Sequence, residues 1–354
     1  MTTATLQLDG KRVEFSPGQS ILDVAADNGI DIPTLCYLKG ATPTGACRMC
    51  LVEVTGARSL VAACSTPAAA GMEIWTESDR VRRARKLNVE LLLASGAHDC
   101  IACEANGDCR LQDLAYRYEV TDIPFAISPQ PYPKEEDNPF IIRDFSRCIL
   151  CGRCVQACNE LVVNRAISYG YRGVDSKIVA GTDVPYFESD CVFCGQCVEV
   201  CPVGALIEKK SRYMGRPWDM KKVRTTCPYC GVGCQLLLHV NKEGKIAKVT
   251  AVEDGAPNKG RLCVKGRFAY DFIYSEERLK TPLIREANGE FREASWDEAL
   301  DLVAEKFKEI IKKDGPDAIA GVSCARSINE DSYQMQKFFR AVIGTNNIDH
   351  CART

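Results

Sequence analysis

The run Cys227-Pro-Tyr-Cys230-Gly-Val-Gly-Cys234, closed by Gly260-Arg-Leu-Cys263-Val-Lys265-Gly266, decides how the rest of the chain is read. Four cysteines separated by two, three and 28 residues suffice to hold one cubane iron–sulfur cluster. The two short gaps let a single loop wrap a metal cluster, and Gly231 and Gly233 supply the turns that three ligands on one loop need. Residues 235–240, a polar turn at 241–245 and residues 246–252 read as a β-hairpin that returns Cys263 to the loop. Cys-x2-Cys pairs also serve zinc. The many cluster motifs along the rest of the chain favour iron and sulfur.

This block resembles the cluster-binding start of the molybdopterin guanine dinucleotide oxidoreductases, the family of formate dehydrogenases and periplasmic nitrate reductases. The resemblance implies that Lys265, two residues after the fourth cysteine, lies between cluster and pterin and relays electrons. A solvated surface lysine would have the same spacing.

The 354 residues carry 45 Lys plus Arg and 47 Asp plus Glu, so the near-zero balance predicts neither nucleic acid nor an anionic membrane as partner. Cysteine is the outlier, with 21 residues. The start, Met1-Thr-Thr-Ala-Thr-Leu-Gln-Leu, has no basic and apolar regions of an export signal. No apolar run approaches a membrane span. A cysteine-rich chain of this kind is expected to be metal-loaded in a reducing cytoplasm rather than disulfide-bonded.

At the N-terminus, alternation over residues 2–8, a turn at Asp9-Gly10 and a return over 12–15 predict a hairpin. Ser20 then caps a helix over 21–28 that Gly29 ends. Cys36, Cys47, Cys50 and Cys64 follow at spacings of 10, 2 and 13. With Pro33-Thr-Leu-Cys36, Gly45-Ala-Cys47-Arg-Met-Cys50-Leu-Val-Glu-Val and Ala63-Cys64-Ser-Thr-Pro67, the region resembles a β-grasp 2Fe–2S ferredoxin domain. Such domains begin the large iron–sulfur subunit of NADH dehydrogenase, iron-only hydrogenases and soluble formate dehydrogenases. Four buried structural cysteines would be the plain alternative.

Ser78 begins a further helix with an apolar stripe at Val81, Ala84, Leu87, Leu91 and Ala94. Then come His98, Cys100, Cys103 and Cys109; three cysteines need a fourth ligand to complete a cubane. The segment resembles the one-histidine, three-cysteine cluster domain of the same families, in which the histidine stands four residues before the first cysteine. Here Gly96 holds that position, so His98 is the expected ligand if the loop bends; a surface histidine is the alternative.

Five prolines and an acidic run make residues 123–139 an extended linker. Cys148-x2-Cys151-x2-Cys154-x3-Cys158 and Cys191-x2-Cys194-x2-Cys197-x3-Cys201-Pro202 form an internal repeat that matches the bacterial two-cluster ferredoxin run. In such a repeat each fourth cysteine serves the other cluster, which assigns Cys201 to Cys148, Cys151 and Cys154, and Cys158 to Cys191, Cys194 and Cys197. Asn159 replaces the usual proline but is not a ligand. Residues 160–190 are expected to fold as a hairpin between the halves.

From Ser295 the pattern changes. Ser295-Trp-Asp-Glu298 reads as a capping box, followed by a helix to residue 313, a buried strand over 317–322 and a helix capped by Asn329. Helix–strand–helix opens a parallel α/β domain, whose helix N-termini suit a pyrophosphate. The run Ser323-Cys-Ala-Arg326-Ser-Ile-Asn329-Glu330 resembles the first such loop of formate dehydrogenase, which implies pterin contacts for Arg326, Asn329 and Glu330. In that family a run like 344–354 precedes a metal-binding selenocysteine or cysteine. Selenocysteine is encoded by a stop triplet, so the expectation is truncation there, tested by a UGA codon after Thr354 in the gene. Cys324 and Cys351 are the two cysteines outside the five groups and read as buried.

The expected class is α+β multidomain. It comprises a 2Fe–2S ferredoxin-type domain (1–79), a His/Cys3 4Fe–4S domain (80–122), the linker (123–139) and a two-cluster 4Fe–4S ferredoxin (140–215). A 4Fe–4S domain for molybdenum or tungsten bis(molybdopterin guanine dinucleotide) proteins (220–276) and the start of an α/β molybdopterin domain (277–354) complete it. The resemblance to the N-terminal part of a cytoplasmic formate dehydrogenase α subunit implies one 2Fe–2S and four 4Fe–4S clusters. It also implies formate and carbon dioxide as substrates, and a flavin subunit reducing NAD(P), or hydrogenase subunits, as partners. The part contained in these residues is expected to be inactive on formate alone. The alternatives are the large subunit of NADH dehydrogenase and a stand-alone electron carrier; an iron-only hydrogenase would not need the cysteines at 227–263.

Overall fold

A computed structural model describes residues 4–351. Its chain falls into two units, residues 1–221 with 240–248, and residues 222–239 with 249–354. No helix among the described residues is long and apolar enough to cross a membrane.

The first unit opens with β1 (Ala4–Leu8) and β2 (Lys11–Phe15), paired antiparallel around the Asp9-Gly10 turn. Helix α1 (Ile21–Asp27) starts at Ser20, whose hydroxyl accepts from the Asp23 amide while the Asp23 carboxylate accepts from the Ser20 amide. With β3 (Leu51–Val54), β4 (Val61–Ala62) and β5 (Glu73–Trp75), the strands form a sheet in the order β2-β1-β5-β3-β4, β1 and β5 running parallel. Alternate residues Leu6, Leu8, Val52 and Ile74 face Ile21, Val24 and Ala25 of α1 in one core. This is the expected β-grasp, and the loops holding Cys36, Cys47, Cys50 and Cys64 leave it at one place.

Helix α2 (Asp79–Ala94) begins at Ser78 as expected, but its buried face differs from the expected stripe. Val81, Arg85, Val89 and Ala94 are buried, whereas Leu87 and Leu91 are about half exposed, at 45% and 46%. The face turns because Arg85 is fully enclosed. Its guanidinium donates to Glu77 (2.7 Å), to the Leu51 carbonyl (2.7 Å) and to the Tyr118 hydroxyl (3.1 Å), tying α2 to β3 and to the end of α3 (Arg110–Arg117). Arg85→Ala should leave the Leu51 carbonyl unpaired and cost about 3 kcal/mol, read as a lower urea midpoint of the iron-loaded chain. An unchanged midpoint would refute that role.

Residues 123–139 form no helix and no named strand, yet they are tied down. The Ser128 amide donates to the Ala94 carbonyl and the Gln130 amide side chain donates to the Cys148 carbonyl, at 2.8 and 2.9 Å. Strands β6 (Ile141–Arg143) and β9 (Leu206–Glu208) then bracket the cysteine repeat, and β7 (Ile167–Gly170) with β8 (Lys177–Ala180) forms the inserted hairpin. The repeat is visible in the backbone. Leu150 and Phe193 both take left-handed conformations (φ 51° and 50°), and Gly152 and Gly195 do so at the N-caps of short helices α4 (Arg153–Gln156) and α5 (Gln196–Val200). Non-glycine residues bear such strain where surrounding structure over-determines it, often at ligand clamps.

Further along, β10 (Lys221–Thr226), β11 (Gln235–Val240) and β12 (Ile246–Ala251) form a three-stranded sheet, and Cys263 caps helix α6 (Val264–Phe268). After the hairpin of β13 (Leu283–Arg285) and β14 (Phe291–Glu293), Ser295 accepts from the Glu298 amide at the start of α7 (Trp296–Asp314). The Glu298 carboxylate pairs with Arg292 rather than completing the expected box.

The expected buried strand at 317–322 is replaced by a single 3-10 turn (Pro316–Ala318) and a shorter strand β15 (Gly321–Ser323), with Val322 77% exposed. Gly315 and Pro316 set that turn. Strand β15 pairs in parallel with β16 (Ile348–His350), giving the expected opening of a parallel α/β arrangement. Between them, α8 (Asn329–Phe338) is capped by Ile328 rather than by Asn329 and closes through a wider turn at Gly344.

Candidate metal centres

Each cysteine group gathers in space. At the N-terminal site the Cys36 amide donates to the Cys47 sulfur at 3.4 Å. Hydrogen bonds from the Cys47 and Cys64 thiols hold the Cys36 sulfur far below the usual thiol range. The reciprocal bonds push Cys47 and Cys64 up, and the bond from Cys64 lowers Cys50 to about 7. Four sulfurs in mutual reach on loops of a β-grasp sheet fit a 2Fe–2S cluster.

Cys148, Cys151, Cys154 and Cys201 line one cavity of about 40 Å³, walled by Phe145, Ile149, Tyr186 and Val203. Cys201, from the second run, thus stands with three cysteines of the first. Burial pushes Cys151 up to about 12 and Cys201 up to about 11, with the Arg153 charge acting the other way on Cys151. Backbone groups meet the sulfurs: the Leu150 amide donates to Cys148 at 3.4 Å, the Arg153 amide lowers Cys151, and the Cys201 thiol donates to the Val203 carbonyl at 3.0 Å. In the other half, Cys158 and Cys194 raise the Cys191 thiol by their nearness, while Phe193 and Ala166 donate amides to Cys191 and Cys158 at 3.4 and 3.3 Å. Such bonds are among the means by which a protein sets cluster potentials.

His98 lies in a second cavity with Cys100, Cys103 and Cys109. One ring nitrogen bonds to the Leu92 carbonyl, and burial lowers the imidazole pKa. Its Nε2 is buried with no hydrogen-bond partner among the described residues. A neutral imidazole anchored at one nitrogen and bare at the other is what a metal requires. Gly96 makes this possible, since a Cβ there would stand 2.4 Å from Nε2. The ring reaches the space that a side chain at position 96 would fill.

The sites share structure. Cys47, Cys109, Cys148, Cys151 and Cys201 all pack against one apolar cluster that includes Leu35, Met49, Leu111 and Ile149. A Cβ on Gly204 would meet the Cys103 sulfur at 2.5 Å, so the short segment from Cys201 to Gly204 touches both cavities. The sequence marks Gly96 only as standing where the histidine is expected and does not mark Gly204 at all; glycine at a close approach leaves no trace in cysteine spacing.

In the second unit, Cys227, Cys230, Cys234 and Cys263 act on one another electrostatically, and the Cys227 amide donates to the Cys234 carbonyl at 2.8 Å. Gly233 takes φ +67°, and a Cβ on Gly231 would meet Asn329 Oδ1 at 2.6 Å. Asn329 Nδ2 donates to the Gly231 carbonyl at 2.6 Å, which links α8 to the cysteine loop. Lys265, Arg326 and Glu330 are exposed. Cys324 and Cys351, expected to be buried, are exposed as well; both follow the last residues of short strands, beyond the packed part of the sheet. Among the described residues no three His, Cys, Asp or Glu side chains converge as a single-ion site demands.

Five cysteine groups on these scaffolds have the chemistry of iron–sulfur cluster ligands. Successive stretches match models of the 2Fe-2S iron-sulfur cluster binding domain (2–79), the NADH-ubiquinone oxidoreductase-G iron-sulfur binding region (85–124) and the 4Fe-4S dicluster domain (147–205). The molybdopterin oxidoreductase Fe4S4 domain (220–275) and molybdopterin oxidoreductase (278–354) follow. The chain belongs to the molybdopterin oxidoreductase family, with iron–sulfur domains of the NADH-ubiquinone oxidoreductase-G type at its start.

It is 39% identical to the NADPH-Fe(3+) oxidoreductase subunit alpha of Geobacter sulfurreducens and 38% identical to an NADH-quinone oxidoreductase protein of Rhizobium meliloti. These alignments cover 99% and 98% of this chain and 40% of each relative. A Staphylococcus aureus protein provisionally named a formate dehydrogenase is 35% identical over 98% of this chain and 39% of its own length. The chain thus spans about two fifths of the length of these relatives. A chain of an NAD+-reducing [NiFe]-hydrogenase, solved in its H2-reduced state, matches with a TM-score of 0.52 and 33% identity, over 60% of this chain and 90% of that one.

Proposed function

We propose that these residues form the electron-transferring part of a formate dehydrogenase α subunit. The single observation that carries the electron-transfer reading is the convergence of the expected ligands: Cys201 beside Cys148, Cys151 and Cys154, and the bare Nε2 of His98 beside three further cysteines. The ligand sets are those named above: a 2Fe–2S cluster at Cys36, Cys47, Cys50 and Cys64, and four 4Fe–4S clusters at the remaining groups. Bound clusters supply one-electron carriers, and a pterin-held molybdenum or tungsten supplies the two-electron exchange between formate and carbon dioxide. The protein's share is to hold the thiolates, aim amides at the sulfurs and partly cover the ligands from water.

Formate rests on the resemblance of the run from Ser323 to Glu330 and on the parallel strand pair around it. Lys265 is the proposed relay residue, and Arg326, Asn329 and Glu330 the proposed pterin contacts; Asn329 already ties their helix to the cysteine loop. The names of the two relatives at 39% and 38% identity favour a second reading, in which a pyridine nucleotide partner sits at one end.

Affinity isolation of the native complex through this chain separates the two. Formate-driven reduction of a viologen dye supports formate. Dye reduction by NADPH or NADH with none by formate would replace it with the second reading.

A further inference from the structure

We propose that Cys324 and Cys351 form a redox-active dithiol that closes to a disulfide on contact with a small disulfide such as oxidised glutathione. Neither belongs to the five cysteine groups. Ser323 and His350 are register partners in the parallel pair β15–β16, so Cys324 and Cys351 follow them side by side. Neighbouring strands lie about 5 Å apart, within the backbone separation that a disulfide spans. The sulfurs are 3.6 Å apart and exposed, so closure needs only small side-chain rotations.

The surroundings favour a thiolate at Cys351. The Ala325 amide donates to the Cys351 sulfur and the Arg326 amide to the Cys324 sulfur, both at 3.3 Å. The Ala325 amide, the Cys324 thiol and the Arg326 charge hold Cys351 below the ordinary thiol range, which marks it as the attacking sulfur. The thiolate of Cys351 attacks one sulfur of the small disulfide, the old sulfur–sulfur bond breaks, and one small thiolate leaves. Cys324 then attacks Cys351 and expels the second. The protein dithiol loses two electrons and two protons, and the small disulfide becomes two thiols. The product links the ends of two parallel strands at the start of the α/β arrangement, beside Arg326.

The test uses the iron-loaded chain under inert gas, treated with oxidised glutathione, alkylated and digested with trypsin. Residues 314–326 and 341–353 are separate tryptic peptides, each carrying one of the two cysteines and none of the others. The proposal expects these peptides joined, lighter by two hydrogens than their sum, and separated again by dithiothreitol. In Cys324→Ser, peptide 341–353 should carry a glutathione adduct and no cross-link. Recovery of both wild-type peptides fully alkylated after oxidation, or joined to other cysteines or another chain, would overturn it.

Discussion

Cys201→Ser should remove about four irons per chain and the paramagnetic signal of one cubane, while the site of Cys191, Cys194 and Cys197 stays loaded. The substitution is in the second cysteine run, but the damage is expected at the first. Cys201 lines the cavity of Cys148, Cys151 and Cys154, and its thiol donates to the Val203 carbonyl at 3.0 Å. Cys158→Ser should do the converse, since Cys158 is electrostatically coupled to Cys191. The two variants therefore make opposite predictions within one repeat. Spectra showing that each variant loses the cluster of its own run would reverse the assignment. Cys201→Ser should also weaken the first unit more than Cys158→Ser, because Cys201 packs against the apolar cluster shared by three sites and Cys158 does not.

His98→Ala should likewise lose about four irons, or leave that site as a three-iron cluster, because three cysteines cannot complete a cubane. Gly96→Ala should have nearly the same effect without touching a ligand. The added methyl would stand 2.4 Å from Nε2 and 2.8 Å from the Ser146 carbonyl, so the ring must move. His98→Cys should restore the iron with a lower reduction potential, since a further thiolate adds negative charge where a neutral imidazole stood. Potentiometric titration of the loaded chain reads this directly. Full iron and an unchanged spectrum in His98→Ala would remove His98 from the ligand set.

Much of this was legible in the residue order. Cysteine spacing survives folding because three ligands on one loop leave the chain few paths, and left-handed Leu150 and Phe193 show the same path taken twice. Caps were legible too, since Ser20, Ser78 and Ser295 act within four residues of themselves.

What escaped depends on distant partners. Arg85 reads as a solvent-facing charge until Leu51 and Tyr118 arrive from elsewhere in the chain. Gly96 breaks the expected histidine spacing, and only the folded loop shows that His98 fills the space it leaves. Val322 and the two outlying cysteines have the composition of a buried strand end, but burial is set by what covers a strand and not by the strand itself.

The most direct test of the central claim is the iron and acid-labile sulfide content of the chain purified without oxygen. One two-iron and four four-iron clusters predict about 18 of each per chain. Zinc in their place, or cysteines bridged to one another with little iron bound, would contradict the claim.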